Sequence, residues 1–130
     1  MTRSRRTARE AGTKFETLIA AHLAHALDDD RIERRAKNGA KDRGDIGGVS
    51  AYGHRVVIEC KNVAKTDLSA WTREAQLEAG NDDALVGLVI HKRHRTQVPG
   101  EQWVTCTVDD LVALITGQRA QDPDETEETP

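Results

Sequence analysis

Two acidic residues and a lysine are spaced along the chain as a divalent-cation site would require. Asp45 precedes Glu59 by fourteen residues, and Lys61 follows two residues later. The segment between the two acids predicts a β-hairpin that turns at Tyr52 and Gly53, which would place Asp45 opposite Glu59. Neighbouring carboxylates repel each other unless a cation lies between them, and hard oxygen ligands suit Mg²⁺, with Mn²⁺ as a substitute. The pattern therefore predicts a metal-dependent phosphodiesterase site.

Alternation along the second strand of this hairpin separates core residues from site residues. Val56, Ile58 and Cys60 point to one face of a strand, and Glu59 and Lys61 point to the other. We expect the apolar set to face the core. The backbone carbonyl of Cys60 lies between the acid and the lysine, so it is a further candidate metal ligand. Lys61, beside two acids, is expected to stay protonated.

The first predicted helix runs from about Ala8 or Thr13 to Leu27 and carries Glu16 at the edge of its buried face. Burying an unpaired carboxylate is costly, so this position needs an explanation. In one interpretation, Glu16 complements the helix dipole or pairs with an arginine. In the other, it points into the metal pocket and takes part in catalysis.

Charge is distributed unevenly over the 130 residues, whose formal net charge is −3. The first 61 residues hold 13 Lys and Arg against nine Asp and Glu, whereas residues 120–130 hold five acids and no base. This distribution predicts a flexible basic arm at 1–9, one folded domain at 10–118 and a disordered acidic tail at 119–130. A basic surface around a carboxylate pocket fits a polyanionic substrate, although an ordinary solvated surface also explains it.

Candidate DNA contacts follow from this basic half. Residues 31–37 predict a basic strand, and a glycine-bounded polar loop leads from it to Asp45. The loop is expected to carry phosphate contacts beside the metal site, and a mobile surface loop without that role is the alternative. The candidate DNA-binding residues are Arg5, Arg6, Arg9, Arg34, Arg35, Lys37, Lys41 and Arg43.

The remaining elements complete an α/β pattern. A helix capped by residues 66–69 is expected from about 68 to 79, with Gln76 near the rim of the site. A buried strand follows at 85–90, and a last strand at 103–108. A short helix is then expected from Val108 to Ile115, capped by Thr107 and closed by Gly117. The predicted order is α-β-β-β-α-β-β-α.

Several function classes lack support in the sequence. No P-loop, Rossmann glycine pattern, G-x-S-x-G motif or CxxC pair is present. Neither a run of about 18 apolar residues nor an apolar signal-peptide core is found. Cys60 and Cys106 fall in apolar runs and predict buried free thiols in a reducing cytoplasm.

The set Gly44-Asp45 and Glu59-x-Lys61, on an apolar strand behind a helix with Glu16, resembles the signature of the PD-(D/E)XK nuclease superfamily. That resemblance implies a restriction-endonuclease-like core with a mixed central sheet flanked by helices. It also implies Mg²⁺ held by Asp45 and Glu59, with Glu16 as an outer or second-metal ligand.

Within the superfamily, residues 5–95 resemble the Holliday junction resolvases of archaea and phages. The resemblance implies a homodimer that cleaves branched DNA in recombination or phage DNA processing. A restriction-type, repair-type or nicking nuclease with the same core is an alternative. A non-catalytic nucleic-acid-binding protein of this fold is an alternative from another class.

Overall fold

The structure, a computed structural model, describes residues 4–36 and 42–119. Two of the candidate DNA contacts, Lys37 and Lys41, and nearly all of the expected acidic tail lie outside the described residues. Within the described part of the chain, no helix has both the length and the apolar character needed to cross a membrane.

Helix α1 spans Arg5–Ala26 and begins earlier than the sequence predicts. Ser4 is its N-cap, and the Ser4 hydroxyl accepts a hydrogen bond from the backbone N–H of Thr7 at 3.1 Å. The first turns gain an (i, i+4) ion pair between Arg6 and Glu10. The expected flexible arm at 1–9 is therefore wrong from Arg5 onward, because a capped helix already holds these residues.

Six short strands form one mixed sheet in the order β1-β2-β4-β5-β6, with β3 paired to β4. Only β4 and β5 run parallel, and the other pairs are antiparallel. The expected α/β class with a mixed central sheet is confirmed. The strands are β1 Glu33–Arg34, β2 Ile46–Gly47, β3 Ser50–Ala51, β4 His54–Lys61, β5 Val86–His91 and β6 Trp103–Thr105.

The predicted hairpin is present. Ile46 pairs with Ile58, and Ala51 pairs with His54 across the turn. Tyr52 and Gly53 both have positive φ, 54° and 77°, as a two-residue turn of type I′ requires. The turn and the register that it sets are thus readable from local sequence.

A bulge divides the first strand of the hairpin into β2 and β3. Gly48 has φ +89°, and a Cβ there would lie 2.5 Å from the carbonyl oxygen of Arg31. One extra residue therefore enters the pairing, as in a β-bulge. The predicted element order lacks this division, and the predicted strand at 31–37 shrinks to the two residues that pair with β2.

Helix α2 spans Leu68–Asn81, and Asp67 caps it by accepting from the N–H of Ala70. It continues through Gly80, where the sequence predicts its end. The left-handed residue that ends the segment is Asp83, with φ 48°. The predicted boundary is wrong because Gly80 keeps a helical conformation.

Helix α3 spans Val108–Thr116 and has the predicted caps. The Thr107 hydroxyl accepts from the N–H of Asp110, and Gly117 ends the helix with φ 79°. Because Thr107 serves the cap, β6 stops at Thr105 and does not reach 108 as predicted.

The two faces of the sheet have different cores. On one face, Phe15 and Ile19 of α1 pack with Ile58 and Ile90, together with Cys60. On the other face, α2 packs through two smaller clusters: Trp71 and Ala75 with Val89, and Ala79 with Val57 and Ala84. The alternation predicted for β4 is confirmed, and its polar face lies towards α2. Both cysteines are free; Cys60 is buried as expected, whereas Cys106 is only partly buried.

Candidate active site

Every predicted catalytic residue lines one cleft of about 490 Å³. The lining residues come from α1, from β1 and β4 with the residues that follow them, and from the position directly before β2. The set includes Glu16, Asp45, Glu59, Cys60 and Lys61, together with Arg9, Arg34 and Asn62. Residues far apart in the sequence therefore meet at one end of the sheet.

Asp45 is held rigidly by the backbone of the hairpin. Its side chain is 2% exposed, and its Oδ2 accepts a 2.7 Å hydrogen bond from the N–H of Cys60. Its own N–H donates to the carbonyl oxygen of Ile58 at 2.8 Å. Glycine at position 44 allows the backbone before Asp45 to lie this close to β4, because its φ is +97° and a Cβ there would lie 2.9 Å from the same carbonyl oxygen.

Lys61 lies between two acids. Its Nζ is 3.0 Å from Oε2 of Glu74 and 3.6 Å from Oε1 of Glu59. Burial alone would lower the pKa of Lys61, but the hydrogen bond to Glu74 and the charge of Glu59 hold it above the ordinary value. Lys61 is thus cationic at neutral pH, as the sequence predicts.

Glu59 contacts a second buried acid, Glu78 of α2. The two residues are 2% and 3% exposed. Burial, followed by the contact with Glu78 and the charge of Asp45, raises the pKa of Glu59 far above its ordinary value. Burial likewise raises the pKa of Glu78. Among the described residues, neither Oε2 atom finds a hydrogen-bond partner.

Sequence reasoning missed three acids near Glu59. Asp42, Glu59 and Glu78 offer carboxylate oxygens that all lie within 4.8 Å of one another, and Glu74 binds Lys61. The signal in the sequence is the spacing of Glu74 and Glu78, which are four apart and share a helix face. Glu74 and Glu78 both lie on the side of α2 that meets β4.

Glu16 pairs with an arginine and also lines the cleft, and its part in catalysis stays a prediction. It is buried, and its Oε2 accepts a 2.7 Å hydrogen bond from Nε of Arg34. It also lines the cleft with Asp45 and Glu59. The ion pair compensates the charge of Glu16 and places Arg34, a candidate DNA contact, on the cleft wall.

The arginines of α1 differ in position. Arg9 lines the cleft. Arg5 is exposed, and Arg6 is paired with Glu10 at 3.1 Å. Of these three candidates, Arg9 alone is among the residues that line the cleft.

Arg35 and Arg43 are not among the residues that line the cleft. Their guanidinium groups lie 4.0 and 3.7 Å from the carboxylate of Asp82, which also has Arg55 at 3.4 Å. Arg35 also donates to the carbonyl oxygen of Arg43. A buried acid after α2 thus attracts these two arginines, and their predicted contact with DNA stays a prediction.

Gln76 also lies away from the cleft. It lines a different depression with Leu85, Asp110 and Arg119, so its predicted place at the rim of the site is wrong. Helix α2 instead presents Glu74 and Glu78 to the polar face of β4.

Comparison with protein-family models, with curated proteins and with solved structures finds no match to this chain. The functional assignment therefore depends on the residues of the cleft and on the chemistry that they can perform.

Proposed function

We propose that the protein is a Mg²⁺-dependent endodeoxyribonuclease with a restriction-endonuclease-like core, and that branched DNA is its substrate. The observation that carries the proposal is the convergence of Glu16, Asp45, Glu59 and Lys61 on one cleft. Buried acids beside a cationic lysine, open to a cleft, are the groups that metal-assisted hydrolysis of a phosphodiester needs.

The donor set fits a hard divalent cation. The side-chain donors offered by Asp45, Glu59 and Glu16 are carboxylate oxygens, which Mg²⁺ and Mn²⁺ prefer. Glu59 Oε2 is buried and has no hydrogen-bond partner among the described residues. Asp45 and Glu59 would hold the ion, with the Cys60 carbonyl as a further ligand. A bound ion lowers the pKa of a water ligand and offsets negative charge on the phosphate.

Lys61 supplies the cationic group of the site. It keeps its proton because Glu74 and Glu59 lie beside it, so it serves to orient water or to stabilise the phosphate rather than to remove a proton. Glu74 positions the ammonium group. Arg9 and Arg34 line the same cleft and would contact the DNA backbone.

Branched DNA as the substrate and a homodimeric enzyme complete the proposal. Resolving a four-way junction requires two symmetric cuts, and a twofold dimer provides two equivalent sites. The resemblance of residues 5–95 to Holliday junction resolvases supports this choice over a restriction-type or repair-type nuclease.

A panel of labelled DNAs tests the function. The full-length protein is incubated with a four-way junction, a flap, a linear duplex and a single strand, each with Mg²⁺ or with EDTA. We expect Mg²⁺-dependent cleavage, fastest on the junction. Equal cleavage of junction and duplex would reject the resolvase assignment and keep the nuclease. Tight binding without cleavage of any substrate would favour the non-catalytic alternative.

A further inference from the structure

We propose a second cation site, formed by Asp42, Glu59 and Glu78 between the loop before β2, strand β4 and helix α2. It goes beyond the nuclease proposal, which places the catalytic ion at Asp45 and Glu59. The ligand would be a hard divalent cation such as Mn²⁺, Mg²⁺ or Ca²⁺. Glu59 would then belong to both sites and link them.

Geometry is the first support for this site. One carboxylate oxygen from each of the three residues lies within 4.8 Å of the other two. Oxygens bound to one cation at 2.0–2.6 Å are separated by no more than about 5 Å. The three acids are therefore already close enough to share an ion without movement of the backbone.

Burial is the second and independent support. Glu59 and Glu78 are 2% and 3% exposed, and the Oε2 atom of each has no hydrogen-bond partner among the described residues. A buried carboxylate oxygen without a partner is costly, and a second acid beside it adds repulsion. A cation between them would satisfy both oxygens.

The nearby basic groups do not provide this compensation. Lys61 lies 3.6 Å from Oε1 of Glu59, and it makes its closer contact, 3.0 Å, with Glu74. The arginines at 35, 43 and 55 lie beside Asp82. Asp42 uses its Oδ1 to accept from the N–H of Gly44, an arrangement that fixes its carboxylate near the two glutamates.

Titration of the metal-free, full-length protein with Mn²⁺ alone, without DNA, tests the site. Electron paramagnetic resonance measures the free ion, so the fall in its signal gives the bound fraction. We expect Glu78→Gln and Asp42→Asn each to weaken one binding event by about tenfold or more, a loss that removal of even an outer partner of a metal ligand can cause. Circular dichroism confirms that each variant is folded. If Glu78→Gln does not fold, Asp42→Asn still tests the site.

Two control variants make the result specific. Glu74→Gln removes the same charge one helical turn from Glu78 but lies outside the three-acid set, so it should retain the binding event. Asp45→Asn removes the acid of the proposed catalytic site and should also retain it. Unchanged Mn²⁺ affinity in both Glu78→Gln and Asp42→Asn, or an equal loss in Glu74→Gln, would overturn the second site.

The design separates this inference from the nuclease proposal. If Asp45→Asn loses Mn²⁺ binding while Glu78→Gln and Asp42→Asn bind Mn²⁺ as the wild type does, the second site is overturned and the catalytic site is supported. Retained binding in Asp45→Asn together with absence of DNA cleavage by the wild-type protein would support the second site and reject the nuclease.

Discussion

Two buried acids near the C-terminal end of α2 lie in contrasting electrostatic surroundings. Asp82, which follows the helix, is 5% exposed and has three arginine side chains within 4.0 Å. Glu59, which faces the helix from β4, is 2% exposed and has two acids and one lysine near it. The first arrangement compensates a buried charge, whereas the second concentrates acids with raised pKa values beside a cleft.

This difference separates a structural acid from a functional one. A protein gains stability when a buried charge is paired, and removing one partner of such a pair is destabilising. Acids that lack compensation gain nothing from one another, so their retention requires another role, and groups with strongly perturbed pKa values are concentrated at functional sites. The contrast predicts opposite effects of equivalent substitutions at the two positions.

Glu59→Gln should have the largest effect, and the effect should be on activity. Turnover on a four-way junction should fall by about a hundredfold to a thousandfold or more, as when a single electrostatic group of an active site is removed. The free energy of unfolding at pH 7 should stay about equal, because burial raises the pKa of Glu59 to about 11 and glutamine replaces a carboxyl group that is already neutral. Urea unfolding measures the stability and single-turnover cleavage measures the activity. A variant that stays active, or that is strongly destabilised, would contradict the proposed difference between Glu59 and Asp82.

Asp82→Asn should show the reverse pattern. It leaves Arg35, Arg43 and Arg55 without their shared acid, and two of these side chains are more than half exposed. Solvent screening limits the loss, so the free energy of unfolding should fall by about 1–2 kcal/mol. Cleavage by the folded variant should be retained. A variant as stable as the wild type would show that the arginine cluster does not stabilise the fold.

The uncompensated acids should also impose a pH dependence. Burial raises the pKa of Glu78 from 4.5 to about 7, so the folded state binds more protons than the unfolded state between these values. Stability in metal-free buffer should therefore fall as pH rises through this window. Glu78→Gln should show a shallower dependence in urea unfolding at about pH 5 and 7. An identical slope in both proteins would exclude Glu78 as its source.

The smallest effect is expected at the cleft wall. Arg9→Ala should weaken DNA binding and reduce the slope of log affinity against log salt by about 0.9, the value for one phosphate contact on duplex DNA. Arg5→Ala, at an exposed position of the same helix, is the matched control and should change the slope less. Equal slopes for Arg9→Ala and the wild type would remove Arg9 from the DNA interface.

Local sequence predicts the hairpin and α3 but not the neighbours of Glu59. A turn with positive φ and a threonine cap depend on residues only a few positions apart. Alternation then places Glu59 and Lys61 on one face of β4. The approach of Asp42 and Glu78 to Glu59 depends instead on how α2 packs over the sheet. This packing is close, because a Cβ added at Gly87 would lie 2.3 Å from the carbonyl oxygen of Ala75.

The same limit explains the loop arginines. Charge and position near Asp45 predict that Arg35 and Arg43 contact phosphate. Their partner, Asp82, is more than thirty-five residues away in the sequence and is identified only by the fold. The early start of α1 differs from the prediction for another reason. The basic residues at 3–9 favour a flexible arm, whereas Ser4 caps a helix there.

The most direct test of the central claim is single-turnover cleavage of a labelled four-way junction at increasing Mg²⁺ concentration, by the wild type and by Asp45→Asn. DNA binding is measured in parallel. Asp45 lines the cleft and its Oδ2 accepts from the N–H of Cys60, so its substitution should remove metal-dependent cleavage and leave binding equal or slightly tighter. We predict a wild-type rate that rises with Mg²⁺ and vanishes in EDTA, and no measurable rate for the variant. Comparable Mg²⁺-dependent rates in both proteins would contradict the assignment of this cleft as the active site.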